Sequence, residues 1–174
     1  EGNHTPNLDR LARQGVLFKD CVSPVPLTLP AHCSLFTGRT PLGHQVRNNA
    51  RYVLGPEEQT LAERLKAEGF ATYAVVASYV LLGRFGLKQG FDEYDDSLDS
   101  YKIMNSYNTE IPAPVVSSRF LHWLEKHKDE RFFAWVHFYD PHDPYVPPPA
   151  YRPSPDEKDP WRLYLGEVEF MDHH

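Results

Sequence analysis

Three times along the chain a helical pattern of apolar residues ends and, within a few positions, gives way to a short β-branched or aromatic run. No other feature constrains the fold as strongly, because strands that follow helices in series lie parallel in one sheet and need helices to cover both of its faces. In the first unit residues 6–14 suit a helix, with Thr5 as N-cap, Pro6 at the first helical position and Gly15 closing it, and residues 16–22 then read as a strand. In the second, a helix is expected over 57–68, with Leu61 and Leu65 on one face and Gly69 at its end, followed by a buried strand over 70–77. In the third, residues 115–128 form a helix with Phe120, Leu121 and Leu124 inward, and it leads into 131–139, whose run Phe-Phe-Ala-Trp-Val reads as a strand covered on both faces. The expected fold class is therefore α/β, a three-layer α/β/α sandwich with a mainly parallel or mixed sheet. Ligands in such folds collect at the carboxyl ends of strands, which puts function just after Val22, Ala77 and Tyr139.

A length of 174 residues suits one domain, so residues 1–174 are taken as a single unit. Hydrophobic residues at 41% and charged residues at 24% exclude wholesale disorder. The net charge of −6, with no run of Lys or Arg, argues against a nucleic-acid partner. The longest apolar stretch, residues 73–83, is far short of the about 20 residues that cross a bilayer, and no charged-then-apolar leader opens the chain. No membrane segment is expected. Cys21 and Cys33 can form at most one bridge, which is no disulfide framework. Eight of the 16 prolines fall between Pro141 and Pro160, and Pro147-Pro148-Pro149 forbids regular structure, so 140–162 is predicted as a surface loop.

Chemistry concentrates after the first unit, in Ser23-Pro24-Val25-Pro26-Leu27-Thr28-Leu29-Pro30-Ala31-His32-Cys33-Ser34-Leu35-Phe36-Thr37-Gly38-Arg39. Pro30 suits the start of a helix, which puts Thr28 where unpaired backbone N–H groups and the positive end of the dipole favour an anion. A hydroxyl in that place serves as a nucleophile if its proton affinity is lowered, and equally as an ordinary helix cap.

The stretch from Thr28 to Arg39 resembles the nucleophile segment of the alkaline phosphatase superfamily, in its sulfatase and nucleotide pyrophosphatase/phosphodiesterase branches. Sulfatases use Cys-X-Pro-Ser-Arg followed by Thr-Gly-Arg, and the chain keeps that spacing with Thr28, Pro30 and Thr37-Gly38-Arg39. The phosphodiesterase branch has Thr-X-Pro-X-His and later a His and an Asn, matched by His32 and by His44 and Asn49, which fall 16 and 21 residues after Thr28. Thr5-Pro6-Asn7-Leu8-Asp9, Gly90-Phe91-Asp92-Glu93-Tyr94 and Asp140-Pro141-His142-Asp143-Pro144-Tyr145 look like sulfatase landmarks, and Gly166 to Asp172 resembles the helix after the Pro-His-X-Pro loop. The resemblance implies an alkaline-phosphatase-like catalytic domain of which this chain is a central fragment, acting as a hydrolase on sulfate or phosphate esters.

Within it Thr28 is the implied nucleophile and a ligand of a divalent metal, zinc, manganese or calcium in the full-length parent. Formylglycine chemistry is excluded at this position because the residue is Thr. Asn49 would donate its amide to a non-bridging substrate oxygen, or else simply stabilise a turn. His142 would contact the oxyanion or protonate the leaving group, or else be an exposed loop residue. His32 and His44 are assigned supporting hydrogen bonds, and Cys33 a small buried side chain. The family's Gly-Lys-X-His segment has no clean match at Ala77-Ser78-Tyr79-Val80, where Ser78 is a substitute hydroxyl for substrate binding. Asp140 and Asp143 are assigned to turn formation, the acidic run Asp92, Glu93, Asp95, Asp96, Asp99 to a solvated loop, and His173 and His174 receive no role. The family's acidic metal ligands have no match in the chain, so the fragment alone is expected to be metal-free and inactive. The expected partner is an anionic ester, small-molecule or borne on a glycan or lipid. The alternatives are a phosphodiesterase or phosphotransferase of the same superfamily and a catalytically dead binding homologue.

Overall fold

The computed structural model describes residues 4–98 and 111–174. Asp99 lies outside the described residues. In chain order the helices are α1 (Pro6–Gln14), α2 (Thr28–Thr37), α3 (Leu61–Ala67), α4 (Ala113–His127) and α5 (Pro160–His173). The strands are β1 (Ala71–Val76), β2 (Glu93–Asp95) and β3 (Phe132–His137), all parallel in the order β2-β1-β3. Tyr73 stands opposite Glu93 on one side of β1 and opposite Ala134 on the other.

Because side chains alternate along a strand, β1 feeds two cores. Ala74 and Val76 join Leu29, Cys33 and Phe36 of α2 and Ala62 of α3, with Phe133 and Trp135 of β3 packed alongside. Tyr73, Val75 and Ala77 join Ile111, Val116 and Trp123 on the α4 side. Helices on both faces of a parallel sheet make the three-layer α/β arrangement expected from the helix–strand alternation.

Local chemistry sets where the helices begin. α3 starts at Leu61, later than the expected residue 57, because Thr60 and Glu63 form a reciprocal capping box. Glu58, assigned to that helix by the pattern, is instead buried and paired with Arg39. Gly90 has a φ of 86°, and a Cβ there would come within 2.2 Å of the Glu63 amide nitrogen, so only glycine allows α3 to approach this turn.

Several expectations are corrected. Residues 16–22 are not a strand: they pair with no strand among the described residues, and Val16 and Val22 are 79% and 88% exposed. β propensity without a ladder partner leaves the backbone irregular. In α4, Leu121 faces solvent and Trp123 takes the inward place, its indole N–H donating to Glu93 at 3.1 Å. β3 is only partly covered, as befits the outer strand of the described sheet. Between β3 and α5 the proline-rich stretch holds one short 3₁₀ turn, Pro149–Tyr151, and α5 begins at Pro160, inside the predicted loop, because Asp159 caps it. No helix among the described residues is long and apolar enough to cross a membrane.

α1 is capped from α5 and not by its own Thr5, whose side chain makes no cap bond. The buried Asp172 carboxylate accepts the backbone N–H of Asn7 at 3.0 Å and of Leu8 at 2.7 Å, and the Asn7 side chain donates to the Asp172 carbonyl at 2.7 Å. Removing those acceptors with Asp172→Ala is expected to cost about 1–3 kcal/mol, the penalty for orphaning helix N-terminal amides. Urea unfolding checks this, and an unchanged midpoint would show that the contact does not stabilise the fold.

Candidate functional site

Leu27 is extended, and the helix starts at Thr28, so the first turn of α2 presents its amides toward the end of the sheet. Leu29 N–H donates to Asn49 Oδ1 at 2.9 Å, and the Leu29 amide is the one that follows Thr28 directly. The Thr28 carbonyl accepts from His32 Nδ1 at 2.8 Å. Thr28 is thus held through its main chain from two sides. With Oδ1 committed to Leu29, the Asn49 carboxamide is turned so that its NH₂ is the group left to offer.

The chain returns to this point through a turn fixed by local bonds. Gly38 ends α2 at a φ of 68°, and buried His44 bonds Ser34 at 3.0 Å and accepts Val46 N–H at 3.2 Å. Burial lowers the proton affinity of His44, in keeping with an imidazole used for packing and not for chemistry.

Across from Thr28 an open cleft of about 480 Å³ is bounded by the residues before α2, by Ala31 and His32, by residues 137–139 at the carboxyl end of β3, by His142 and by Met171. His142 is exposed, stacks on Tyr139 with ring centroids 4.2 Å apart, and donates from Nδ1 to the Asp143 carbonyl at 2.7 Å, which leaves Nε2 as the nitrogen that bond does not use. The turn carrying it is anchored by Asp140, whose carboxylate accepts Ala113 N–H at the start of α4 and whose carbonyl accepts His142 N–H at 2.7 Å. Burial pushes the Asp140 carboxyl up, an effect opposed by the Ala113 bond.

The expected site residues do not all converge. Thr28 and His142 line the cleft, and Asn49 reaches the start of α2 without lining it. Ser78 is buried after β1 and is not part of the cleft wall. The acidic run is structural: Asp92 binds Thr72 and Lys66, Asp95 pairs with Arg119, and Asp96 accepts Gly83 N–H. Cys33 is buried and its thiol is pushed up to about 12, while Cys21 is exposed, and neither is bridged. Among the described residues no group of three or more His, Cys, Asp or Glu side chains is arranged to hold a metal. The donor set does not fit the divalent ion that the resemblance implies.

One cleft residue was missed, His137. It closes β3, accepts Ala77 N–H on Nδ1 at 3.4 Å, and lies edge-on to His32 with centroids 5.4 Å apart. The signal was present as a polar residue interrupting an apolar run at a strand's carboxyl end. Burial, with His32 beside it, pushes the His137 imidazole down to about 3.

A parallel sheet with helices on both faces and an open cleft at its carboxyl end makes this an α/β domain, and solved structures of the alkaline phosphatase superfamily share its fold. A protein in the alkaline phosphatase superfamily from Vibrio parahaemolyticus has a similar fold, with a TM-score of 0.70 and 18% identity, over 97% of this chain and 42% of that one. The Sulfatase family matches residues 1–174, and the chain belongs to that family. It is 38% identical over 105 residues to human N-acetylgalactosamine-6-sulfatase, a match that covers 52% of this chain and 20% of that protein. It is 23% identical over 160 residues to an N-acetylglucosamine-6-O-sulfatase of Bacteroides thetaiotaomicron, covering 84% of this chain and 28% of that protein. The chain thus spans between a fifth and a third of the length of these relatives.

Neutral His137 has a pH consequence. Its folded proton affinity lies below the ordinary value of 6.5, so the unfolded chain takes up a proton that the folded chain refuses, and stability is lost as pH falls from 6.5 toward 3. His32 and His44, also lowered, act in the same direction. Urea midpoints are expected to fall between pH 7.5 and 5.5, above the range where carboxylates titrate, and to fall less in His137→Phe. A flat midpoint across that window would contradict the assignment.

Proposed function

We propose that the protein containing this chain hydrolyses sulfate esters, with Thr28 as nucleophile and His142 as acid–base partner. The observation that carries this reading is the main-chain clamp on Thr28, by Asn49 and His32, at the helix start facing the cleft that His142 lines. Attack by the Thr28 oxygen forms an O–S bond as the ester S–O bond breaks, the leaving oxygen takes the proton from His142 Nε2, and the hydroxyl proton of Thr28 passes to solvent. Water activated by the same imidazole then attacks sulfur, frees inorganic sulfate and restores the hydroxyl. The Asn49 NH₂ and the positive end of α2 stabilise the non-bridging oxygens. Amino-sugar 6-sulfates are the favoured substrate class, because both relatives that share the family and much of the chain are named for that ester.

Thr28 itself favours a second reading, phosphoryl transfer, since a Thr ester of phosphate is released by water attack at the central atom more readily than a simple Thr sulfate. Turnover of an aryl sulfate and a bis-aryl phosphate by the full-length protein separates the two. Thr28→Ala is expected to lower the preferred rate on the order of a thousandfold or more, as loss of a nucleophile does. Equal rates would remove Thr28 from the mechanism.

Among the described residues no three His, Cys, Asp or Glu side chains come together to hold a divalent ion, where a working site takes three or more protein ligands. The 174-residue chain by itself is therefore expected to be inactive and to purify without stoichiometric zinc, manganese or calcium by elemental analysis. Tight stoichiometric metal would overturn that expectation.

A further inference from the structure

The chain is acidic, with a net charge of −6, yet among the described residues the cleft wall contains three histidines, His32, His137 and His142, and no carboxylate. Such a lining suits an anion, and the question is which N–H groups meet it. The first turn of α2 supplies few. Leu29 N–H is taken by Asn49, Pro30 has none, and Ala31 N–H is taken by the Leu27 carbonyl at 3.0 Å, which leaves the Thr28 amide. A tetrahedral anion with three terminal oxygens needs more donors than that, and side chains have to provide them.

His32 and His137 are differently committed. The Thr28 carbonyl can only accept, so the proton of His32 sits on Nδ1, facing the helix. The Ala77 amide can only donate, so His137 Nδ1 carries a lone pair and its proton sits on Nε2. Among the described residues nothing accepts that Nε2–H, and the ring belongs to the cleft wall. The imidazole is pinned on one side by the end of β1 and packed edge-on against His32, so its donor is fixed in direction before any ligand arrives. Preorganised N–H groups of this kind are what an oxyanion exploits.

We propose that His137 is a further substrate-contacting residue, a neutral imidazole whose Nε2–H donates to a terminal oxygen of the tetrahedral sulfate or phosphate group bound in front of Thr28. This rests on the preceding section for where the anion sits, and assigns no proton transfer to His137. That division separates it from His142, the acid–base partner in the reading above.

The test is titration of the chain with inorganic sulfate and, separately, inorganic phosphate, comparing wild type with His137→Phe and His137→Gln. Phe keeps a ring against His32 without a donor, and Gln restores an N–H. The expected result is a rise in the dissociation constant of about tenfold or more for Phe, the worth of one hydrogen bond to a charged group, with partial recovery for Gln. Dependence on His137 in either arm supports the proposal, and the stronger arm identifies the anion. Equal affinity in a folded Phe variant overturns it, as does the absence of saturable binding to wild type. Should the Phe variant fail to fold, long-range ¹H–¹⁵N spectra of wild type at neutral pH decide instead. An Nε2–H tautomer whose Nε2 resonance moves with sulfate or phosphate supports the assignment, and an Nδ1–H tautomer or an unmoved resonance overturns it. Undiminished turnover in full-length Thr28→Ala would sink the nucleophile reading alone and leave this titration untouched.

Discussion

β1 is hydrogen-bonded on both edges and apolar on both faces, and the remaining elements are placed by the need to cover it. Its even residues face α2 and α3, its odd residues face α4, and β2 and β3 satisfy its backbone from either side. Five of its six residues are buried, so no polar group could be tolerated along most of its length without a partner. Thr72 is the exception that shows the rule: its hydroxyl and amide are both bonded to Asp92. Burying β1 in this way delivers the carboxyl ends of β1 and β3, with Ala77 and His137 side by side, to the rim where the start of α2 arrives.

The rim is built by rigid placement more than by unusual groups. Thr28 gains its setting from two bonds to its neighbouring peptide atoms, one from a residue four positions on and one from a residue 21 positions on. His142 is held by stacking and by a turn anchored on Asp140. His32 and His137 contribute shape without contributing charge, because burial makes protonation costly and, among the described residues, no carboxylate lines the cleft to compensate. An acidic protein presents an anion-suited surface here through the placement of N–H groups.

Much of this was legible in the residues before any coordinates. The helix starting near Pro30, the helix over Pro6–Gln14 and the buried strand after Gly69 all follow from proline and glycine chemistry acting within a few residues. That Asn49 accepts from the Leu29 amide was not legible, since no local rule says that a side chain should return to a helix start after a turn built on Gly38, His44 and Gln45. The strand reading of residues 16–22 failed for the opposite reason, because propensity describes a strand only when a neighbour supplies the ladder. Leu121, expected inward, faces solvent because several residues suit the helical face, and only the position of Glu93 and Tyr73 on the sheet selects Trp123.

The amino-acid sequence determined the α/β class, the family, and the helix boundaries set by prolines, glycines and caps. These rest on interactions that span one turn or on spacing along the chain. Tertiary structure alone decided that Asp172 caps α1, that Ser78 is buried outside the cleft wall, and that His137 stands in it with its proton on Nε2. Those outcomes depend on which atoms meet across the sheet, where a single backbone amide such as that of Ala77 chooses the tautomer of a residue sixty positions away.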